Sequence, residues 1–176
     1  MAEDGNVISN LNLDDASSGP VPNGADTGPA AGIISQYIKD LSVENPNAPT
    51  SFQWTDAPQI DVQFNIIATA IDEEIHEVNL KVSLTSKCEG GTAFLVELAY
   101  CGLVGMRGLA PEQMHAFLYA EAPRILFPFA RRIVADAVRD AGFPPVMLEP
   151  IDFNGLYIQQ LAQQQQVAEA EPAGNA

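Results

Sequence analysis

The stretch at residues 122–157, APRILFPFARRIVADAVRDAGFPPVMLEPIDFNGLY, decides how the chain is expected to fold. Apolar residues recur every three or four positions between residues 126 and 137, which predicts a helix with one apolar stripe. Pro128, within the first turns, is expected to bend or delay that helix. Gly142, with two prolines close behind it, indicates a helix end, and Asp152 is a candidate N-cap for a second helix. The stretch therefore predicts two helices joined by an extended crossing.

Four segments upstream have the alternation or the composition of β-strands. They cover residues 34–43, 60–68, 77–86 and 92–104, and a short helix is predicted at residues 111–120. Short turns between the last three strands favour antiparallel pairing, whereas a long irregular crossing follows the first strand. The predicted fold is therefore an α+β domain: a four-stranded antiparallel sheet with helices packed on one face.

The alternation of side chains along each strand also assigns residues to the two faces of the sheet. Asp40 and Glu44 share one side of the first strand. One face of the fourth strand carries Phe94, Val96, Leu98 and Tyr100, and the other carries Leu95, Glu97, Ala99 and Cys101. The helices have more apolar surface than one sheet face needs, which indicates subunit packing through Met114, Phe117, Leu126 and Phe129.

Charge and composition limit the classes of function. The net charge is −15, from 23 acidic and 8 basic residues, which opposes binding to nucleic acid or to an anionic membrane. No segment approaches the ~20 apolar residues of a membrane span. The N-terminus lacks the basic region and apolar core of a signal peptide. Cys88 and Cys101 have no metal-binding or redox spacing, so we expect reduced thiols in a cytoplasmic protein.

The two ends differ in composition from the middle of the chain. Residues 1–32 contain no Lys or Arg and show no apolar periodicity, which predicts a disordered acidic arm. Residues 163–176 consist mainly of Gln, Ala and Glu and are predicted to form a disordered tail. Residues 33–162 are left as one folded domain.

A search for catalytic chemistry finds little. His76 and His115 are the only histidines, and they lie on separate predicted elements without a metal-ligand cluster around either. The chain has no phosphate-binding loop, dinucleotide fingerprint or nucleophile elbow. The sequence therefore predicts no enzyme, metal or cofactor. Phe52 and Trp54 lie in the crossing after the first strand, where they could either plug the edge of the core or line an apolar groove.

Five pieces of the chain occur in an order that is typical of one family. They are Asn45-Pro46-Asn47-Ala48-Pro49; Thr92-Ala93-Phe94-Leu95 with Glu97; Ile125-Leu126-Phe127-Pro128 with Ala130-Arg131; Gly142-Phe143-Pro144; and Leu148, Pro150, Phe153 and Leu156. Together these pieces resemble the SecB protein-export chaperones, from about residue 34 to residue 165. The residues before 34 do not match and look like an added arm.

The resemblance implies a cytoplasmic holdase that binds unfolded precursor proteins and passes them to the SecA motor. It implies a homotetramer, built as a dimer of dimers, without nucleic acid, cofactor or insertion into the membrane. The candidate precursor-binding residues are Phe52, Trp54, Phe94, Val96, Leu98, Tyr100, Phe153, Leu156 and Tyr157. The candidate SecA-binding residues are Asp40, Glu44, Leu95 and Glu97.

Some alternatives stay open on the sequence alone. The four precursor-binding candidates on the fourth strand lie on its covered face, where an effect through packing is as plausible as direct contact. The fold could also serve an enzyme or a small-ligand-binding protein on an α+β frame. A third alternative is a SecB-like chaperone that is dedicated to one partner, such as an antitoxin.

Overall fold

The computed structural model describes the backbone of residues 28–170 and the side chains of residues 28–166. Within this part of the chain the strands come first: β1 (Ala30–Glu44), β2 (Gln59–Ala70), β3 (Ile75–Cys88) and β4 (Gly91–Arg107). The helices follow: α1 (Pro111–Ala116), a π-helical turn (Phe117–Glu121), α2 (Ala122–Asp140) and α3 (Phe153–Ala170). A short 3-10 turn (Thr50–Gln53) lies in the crossing between β1 and β2.

The strands form one antiparallel sheet in the order β1-β4-β3-β2. The tight turn between β2 and β3 is closed by Asp72, whose carboxylate accepts the backbone N–H of Glu74 at 2.9 Å and of Ile75 at 2.7 Å. β1 and β2 are the two edges, so the crossing between them spans the whole width of the sheet. The predicted α+β fold with a four-stranded antiparallel sheet is confirmed.

The face of the sheet that α2 covers contains the core. Alternate residues of β3 and β4 are buried there, as the sequence predicts: Val78, Leu80, Val82, Leu84, Phe94, Val96, Leu98 and Tyr100. They pack against α2 residues spaced four apart, namely Leu126, Ala130, Val134 and Val138. Gly102 on β4 lets α2 approach closely, because a Cβ at this position would lie 2.9 Å from the Leu126 side chain.

α2 is continuous through Pro128, so this proline does not delay the helix, and the alternative that it bends the helix stays a prediction. The proline leaves the carbonyl of Arg124 without its helical N–H donor. Both residues are exposed, so water can satisfy that carbonyl. The helix ends as predicted at Gly142, which has a φ of +92° and donates its N–H to the carbonyl of Arg139 at 3.0 Å.

Several element boundaries differ from the sequence prediction, and β2, β3 and β4 each extend one to three residues further at either end. β1 begins at Ala30, so residues 30–32 belong to the sheet rather than to the acidic arm, because they pair with the end of β4. α3 runs to Ala170, so residues 163–170 are helical, as Gln and Ala, both good helix formers, allow. The predicted short helix is α-helical to Ala116 and π-helical beyond it. The rest of the predicted arm and tail lies outside the described residues.

Candidate functional site

Two hollows lie on the side of the sheet that carries the helices. The first, which we call the loop hollow, has a volume of about 560 Å³ and lies between the crossing, the start of β4 and the segment after α2. The second, the helix hollow, has a volume of about 440 Å³ and lies between β2 and the first turns of α3. Both hollows border β2: Ile60 lines the loop hollow, and Phe64 and Ile66 line the helix hollow.

Aromatic rings form the walls of the loop hollow. Phe52, which is 49% exposed, has its ring centroid 5.1 Å from that of Phe143. The Phe143 ring lies in turn 4.7 Å from the ring of Phe94, which is buried at the base of the hollow. Trp54 lies against Gly90, where an added Cβ would be 2.7 Å from the indole ring. The structure therefore brings together the three aromatic residues that the sequence proposed in this region, with Phe143 as an additional member.

Two asparagines hold the crossing over the end of the sheet. The side-chain amide of Asn45 donates to the carbonyl of Ala141 at 2.9 Å, and that of Asn47 donates to the carbonyl of Thr92 at 2.9 Å. These bonds tie the crossing to the end of α2 and to the start of β4. They fix the backbone that carries Phe52 and Trp54. The shape of the loop hollow therefore does not depend on apolar contacts alone.

The helix hollow is built from the first turns of α3. Asp152 caps the helix as predicted, since its Oδ1 accepts the backbone N–H of Gly155 at 3.0 Å. Phe153 is buried with its ring 5.6 Å from that of Phe127 on α2, which anchors the helix. Leu156 is 54% exposed and Tyr157 is half-buried, and both line the hollow. The three α3 residues that the sequence proposed are thus together.

The other candidates for precursor binding lie elsewhere. Val96, Leu98 and Tyr100 are buried in the core that α2 covers, away from both hollows. The Tyr100 ring stacks on Phe129 at 6.4 Å, and its hydroxyl donates to the side chain of Gln36 at 3.3 Å. These positions place the three residues where substitutions would act through packing. The nine candidates are therefore divided among the loop hollow, the helix hollow and the core.

The four candidate SecA-binding residues lie on the opposite, open face of the sheet. Strand register places Glu44 opposite Leu95, Ser42 opposite Glu97 and Asp40 opposite Ala99. Directly opposed residues in an antiparallel pair share a face. A shallow hollow of about 430 Å³ lies on this face, lined by Lys39, Asp40, Asn79, Lys81, Ser83 and Glu97. The carboxylates thus border one continuous surface, with two lysines beside them.

One ion pair on the open face alters the pKa of its members. The ammonium of Lys39 lies 2.6 Å from a carboxylate oxygen of Glu77, and the hydroxyl of Tyr37 donates to the other oxygen. The hydrogen bond from Lys39, followed by that from Tyr37, lowers the pKa of Glu77. The hydrogen bond to Glu77 raises the pKa of Tyr37 to about 12. Burial raises the pKa of the neighbouring Cys101 thiol to about 11, so this group is protonated at neutral pH.

Exposed apolar side chains line one edge of the sheet. Large side chains along β1 are exposed: Ile34, Ile38, Leu41 and Val43. Phe129 on α2 is 44% exposed, whereas Leu126, which the sequence also proposed for subunit packing, is fully buried within the subunit. β1 is an edge strand, so its outer backbone groups are available for pairing with another strand.

The described residues contain neither a metal-binding cluster nor a membrane-spanning helix. Between residues 28 and 170, no group of His, Cys, Asp and Glu side chains is arranged to hold a metal ion. None of the helices in the same range is both long and apolar enough to cross a membrane. Cys88 and Cys101 are both free thiols.

Comparison with known proteins agrees with this geometry. A protein from Novosphingobium aromaticivorans named Protein-export protein SecB is 71% identical over 176 residues, which is the full length of both chains. A protein of the same name from Erythrobacter litoralis is 57% identical, again over the full length of both. The family model described as preprotein translocase subunit SecB matches residues 24–164. Residues 1–23 thus precede the family match, although both relatives align with them.

A solved structure shares the fold. The Mycobacterium tuberculosis Rv1957 SecB-like chaperone, in complex with a ChAD peptide from the Rv1956 HigA1 antitoxin, matches with a TM-score of 0.58 and 18% identity. The match covers 69% of this chain and 90% of that one. The fold is accordingly that of a SecB-like chaperone. From the family match and the two relatives, the chain belongs to the SecB family of protein-export chaperones. It is a chaperone and not an enzyme, which removes the alternative of an enzyme on an α+β frame.

Proposed function

We propose that the chain is a cytoplasmic holdase that binds unfolded precursor proteins in the loop hollow and the helix hollow and delivers them to SecA. The observation that carries the proposal is that both hollows border the same strand. Ile60 and Phe64 are four residues apart on β2, which corresponds to about 13 Å along a strand. An extended segment of about four residues would therefore reach from one hollow to the other.

The chemistry of the two hollows suits a client without a fixed sequence. Their walls are mainly aromatic and aliphatic, and burial of apolar surface is non-directional, so many sequences can occupy them. Several shallow sites along one unfolded chain would add avidity without a tight individual site. β2 is also an edge strand, so its outer backbone groups could pair with an extended client whatever the client's side chains are.

The test is a double substitution with one change in each hollow, Trp54→Ala with Tyr157→Ala. We expect the affinity for a chemically unfolded precursor to fall by roughly tenfold or more, because large aromatic groups dominate such interfaces. The oligomeric state should stay that of the wild type, because both side chains lie outside the central core. Unchanged affinity in this double variant would show that clients bind elsewhere.

We further propose that Asp40, Glu44, Leu95 and Glu97 on the open face bind SecA. Support comes from their shared face and from the strand register, which puts Glu44 directly opposite Leu95. Exposed carboxylates contribute little to folding because they are well solvated. Against a basic partner segment they would increase the rate of encounter and the specificity.

We propose a homotetramer built as a dimer of dimers. The exposed apolar residues of β1, together with Phe129 on α2, support this assembly, since such surfaces on a soluble domain commonly mark subunit contacts. Val96, Leu98 and Tyr100 would then influence client binding through the packing of α2 rather than by contact. Tyr100 stacks on Phe129, so it links the sheet to the proposed subunit surface.

A chaperone dedicated to one partner is the second candidate, because the structural neighbour from Mycobacterium tuberculosis was solved with an antitoxin peptide. At 18% identity that neighbour supports the fold alone, whereas the relatives at 71% and 57% identity carry the protein-export name. Competition between two unrelated unfolded precursors separates the candidates. A general holdase would bind both with similar affinity, and a dedicated chaperone would bind neither tightly.

A further inference from the structure

Tyr157 occupies a special position between two recesses. It lines both the helix hollow and a smaller recess of about 170 Å³, which His115 of α1 also lines. Its hydroxyl oxygen lies 2.8 Å from the Nδ1 atom of His115 on α1. The contact therefore joins a side chain of the proposed client site to a helix 42 residues earlier in the chain.

Ring contacts reinforce this hydrogen bond. The imidazole of His115 lies 5.5 Å from the ring of Tyr157 and 4.6 Å from the ring of Tyr119, measured between centroids. His115 is thus held between two tyrosines that both line the helix hollow. The hydrogen bond forms in either neutral tautomer of the imidazole, since a hydroxyl can act as donor or acceptor.

The rest of α3 gives Tyr157 little support. Of the α3 side chains that the structure describes, Phe153 is buried and Leu161, beside the smaller recess, is half-buried, whereas Leu156, Ile158 and residues 159–160 are exposed. The anchor at Phe153 lies one turn before Tyr157, so it fixes the start of the helix and not the direction that the helix then takes. The contact with His115 is placed to fix that direction.

We propose that His115 is a positioning residue of the client site, which holds Tyr157 and the first turns of α3 at the distance from β2 that the helix hollow requires. The proposal rests on the function proposed above, since it assigns His115 a part in client binding. His115 itself need not touch the client, because it lines the smaller recess and not the helix hollow.

The test is a double-mutant cycle between His115→Leu and Tyr157→Phe. Tyr157→Phe removes only the hydroxyl. His115→Leu removes the imidazole that bonds to this hydroxyl and puts an apolar side chain in its place. We expect each variant to weaken client binding by about two- to tenfold, the range of one net hydrogen bond, and the double variant to be no weaker than either. His115→Asn should restore most of the affinity, because its amide can occupy the place of Nδ1.

Hydrogen exchange of the free chain gives a second readout that needs no client. Loss of the hydrogen bond should speed exchange of the backbone amides at residues 154–161 in His115→Leu and in Tyr157→Phe, again without an additive effect in the double variant. Glu112→Gln changes an exposed residue on the same helix and should alter neither readout.

The outcomes separate the two proposals. If the wild-type chain binds clients and the two substitutions have additive effects or none, His115 does not position the site. If exchange shows the coupling but the wild-type chain binds no unfolded precursor, the hydrogen bond positions α3 and the proposed holdase function is wrong. Failure of His115→Asn to restore affinity would also overturn the inference, since the loss in His115→Leu would then not come from the missing hydrogen bond.

Discussion

The substitution Gly90→Ala should displace Trp54 without altering any polar group of the loop hollow. A Cβ at Gly90 would lie 2.7 and 2.8 Å from two carbon atoms of the Trp54 ring, and 3.0 Å from its nitrogen. Ordinary contacts between carbon atoms are about 3.5–4.0 Å. The ring must therefore move outwards by about 1 Å, and Trp54, which is only half-buried, has room to do so.

Because the ring can move, the cost in folding should be small. Inserting a methyl group into a tightly packed core costs about 1–3 kcal/mol, and relief by an outward shift of Trp54 should keep the loss of unfolding free energy below about 1 kcal/mol. Under the proposed function, client binding depends on the position of the ring. We therefore expect the affinity for an unfolded precursor to change at least about threefold, since removing or displacing a hot-spot side chain has effects of this size or larger.

The assays are urea unfolding and titration of a fluorescent unfolded precursor. Gly32→Ala is the matched control, because a Cβ at Gly32 meets no atom within 4 Å. The control should match the wild type in the unfolding free energy measured with urea and in the affinity for the precursor. If Gly90→Ala binds clients as tightly as Gly32→Ala does, the position of Trp54 is irrelevant to binding and the loop hollow is not part of the client site.

Three further predictions concern the open face and the assembly. Glu97→Lys should reduce SecA binding roughly tenfold at low salt while client binding is unchanged; equal SecA affinity by titration would refute the docking face. Light scattering should give four times the 18.8 kDa of one chain, and a monomer at micromolar concentration would contradict the assembly. Hydrogen bonds from Lys39 and Tyr37 lower the pKa of Glu77. The ionised Glu77 carboxylate therefore stabilises the folded chain fully above the unfolded pKa of ~4.3, and this stabilisation is lost as pH falls through the lower folded pKa. Between pH 7 and about pH 3, the unfolding free energy measured with urea should therefore fall less in Glu77→Gln than in the wild type. An identical fall in both would refute the stabilising role of the Glu77 carboxylate.

Alternation predicted the two faces of the sheet well, because side chains along a strand follow a period of two. On β4 the prediction that Leu95 and Glu97 lie on the face opposite Phe94 agrees with the register. β1 is less regular. Alternation would place Ile38 and Asp40 on the same face, but the strand bulges between them, so Ile38 pairs with Tyr100 on the covered face. No residue type in this segment signals that bulge.

The division of the candidate site could not be read from the strand pattern. Phe94 and Val96 both point to the covered face, yet Phe94 lines the loop hollow and Val96 lies in the core. The difference depends on what covers each residue: the crossing and Phe143 over the start of β4, and α2 over its middle. Two hydrogen bonds from Asn45 and Asn47 fix the crossing there, and their partners are 96 and 45 residues distant in the sequence.

The same reasoning explains how the proposed client site can form beside α3, a helix whose own sequence predicts little packing. Its amphipathic pattern is weak, and a helix without an apolar stripe gains little from packing. One buried side chain, one N-cap and one hydrogen bond to α1 hold its first turns against the body of the domain. A lightly held helix beside β2 leaves an apolar hollow open to clients of different size, whereas a helix packed along its whole length would close it. The weakness of the pattern thus permits the proposed binding site at this edge, and in our proposal the hydrogen bond between His115 and Tyr157 defines the width of that site.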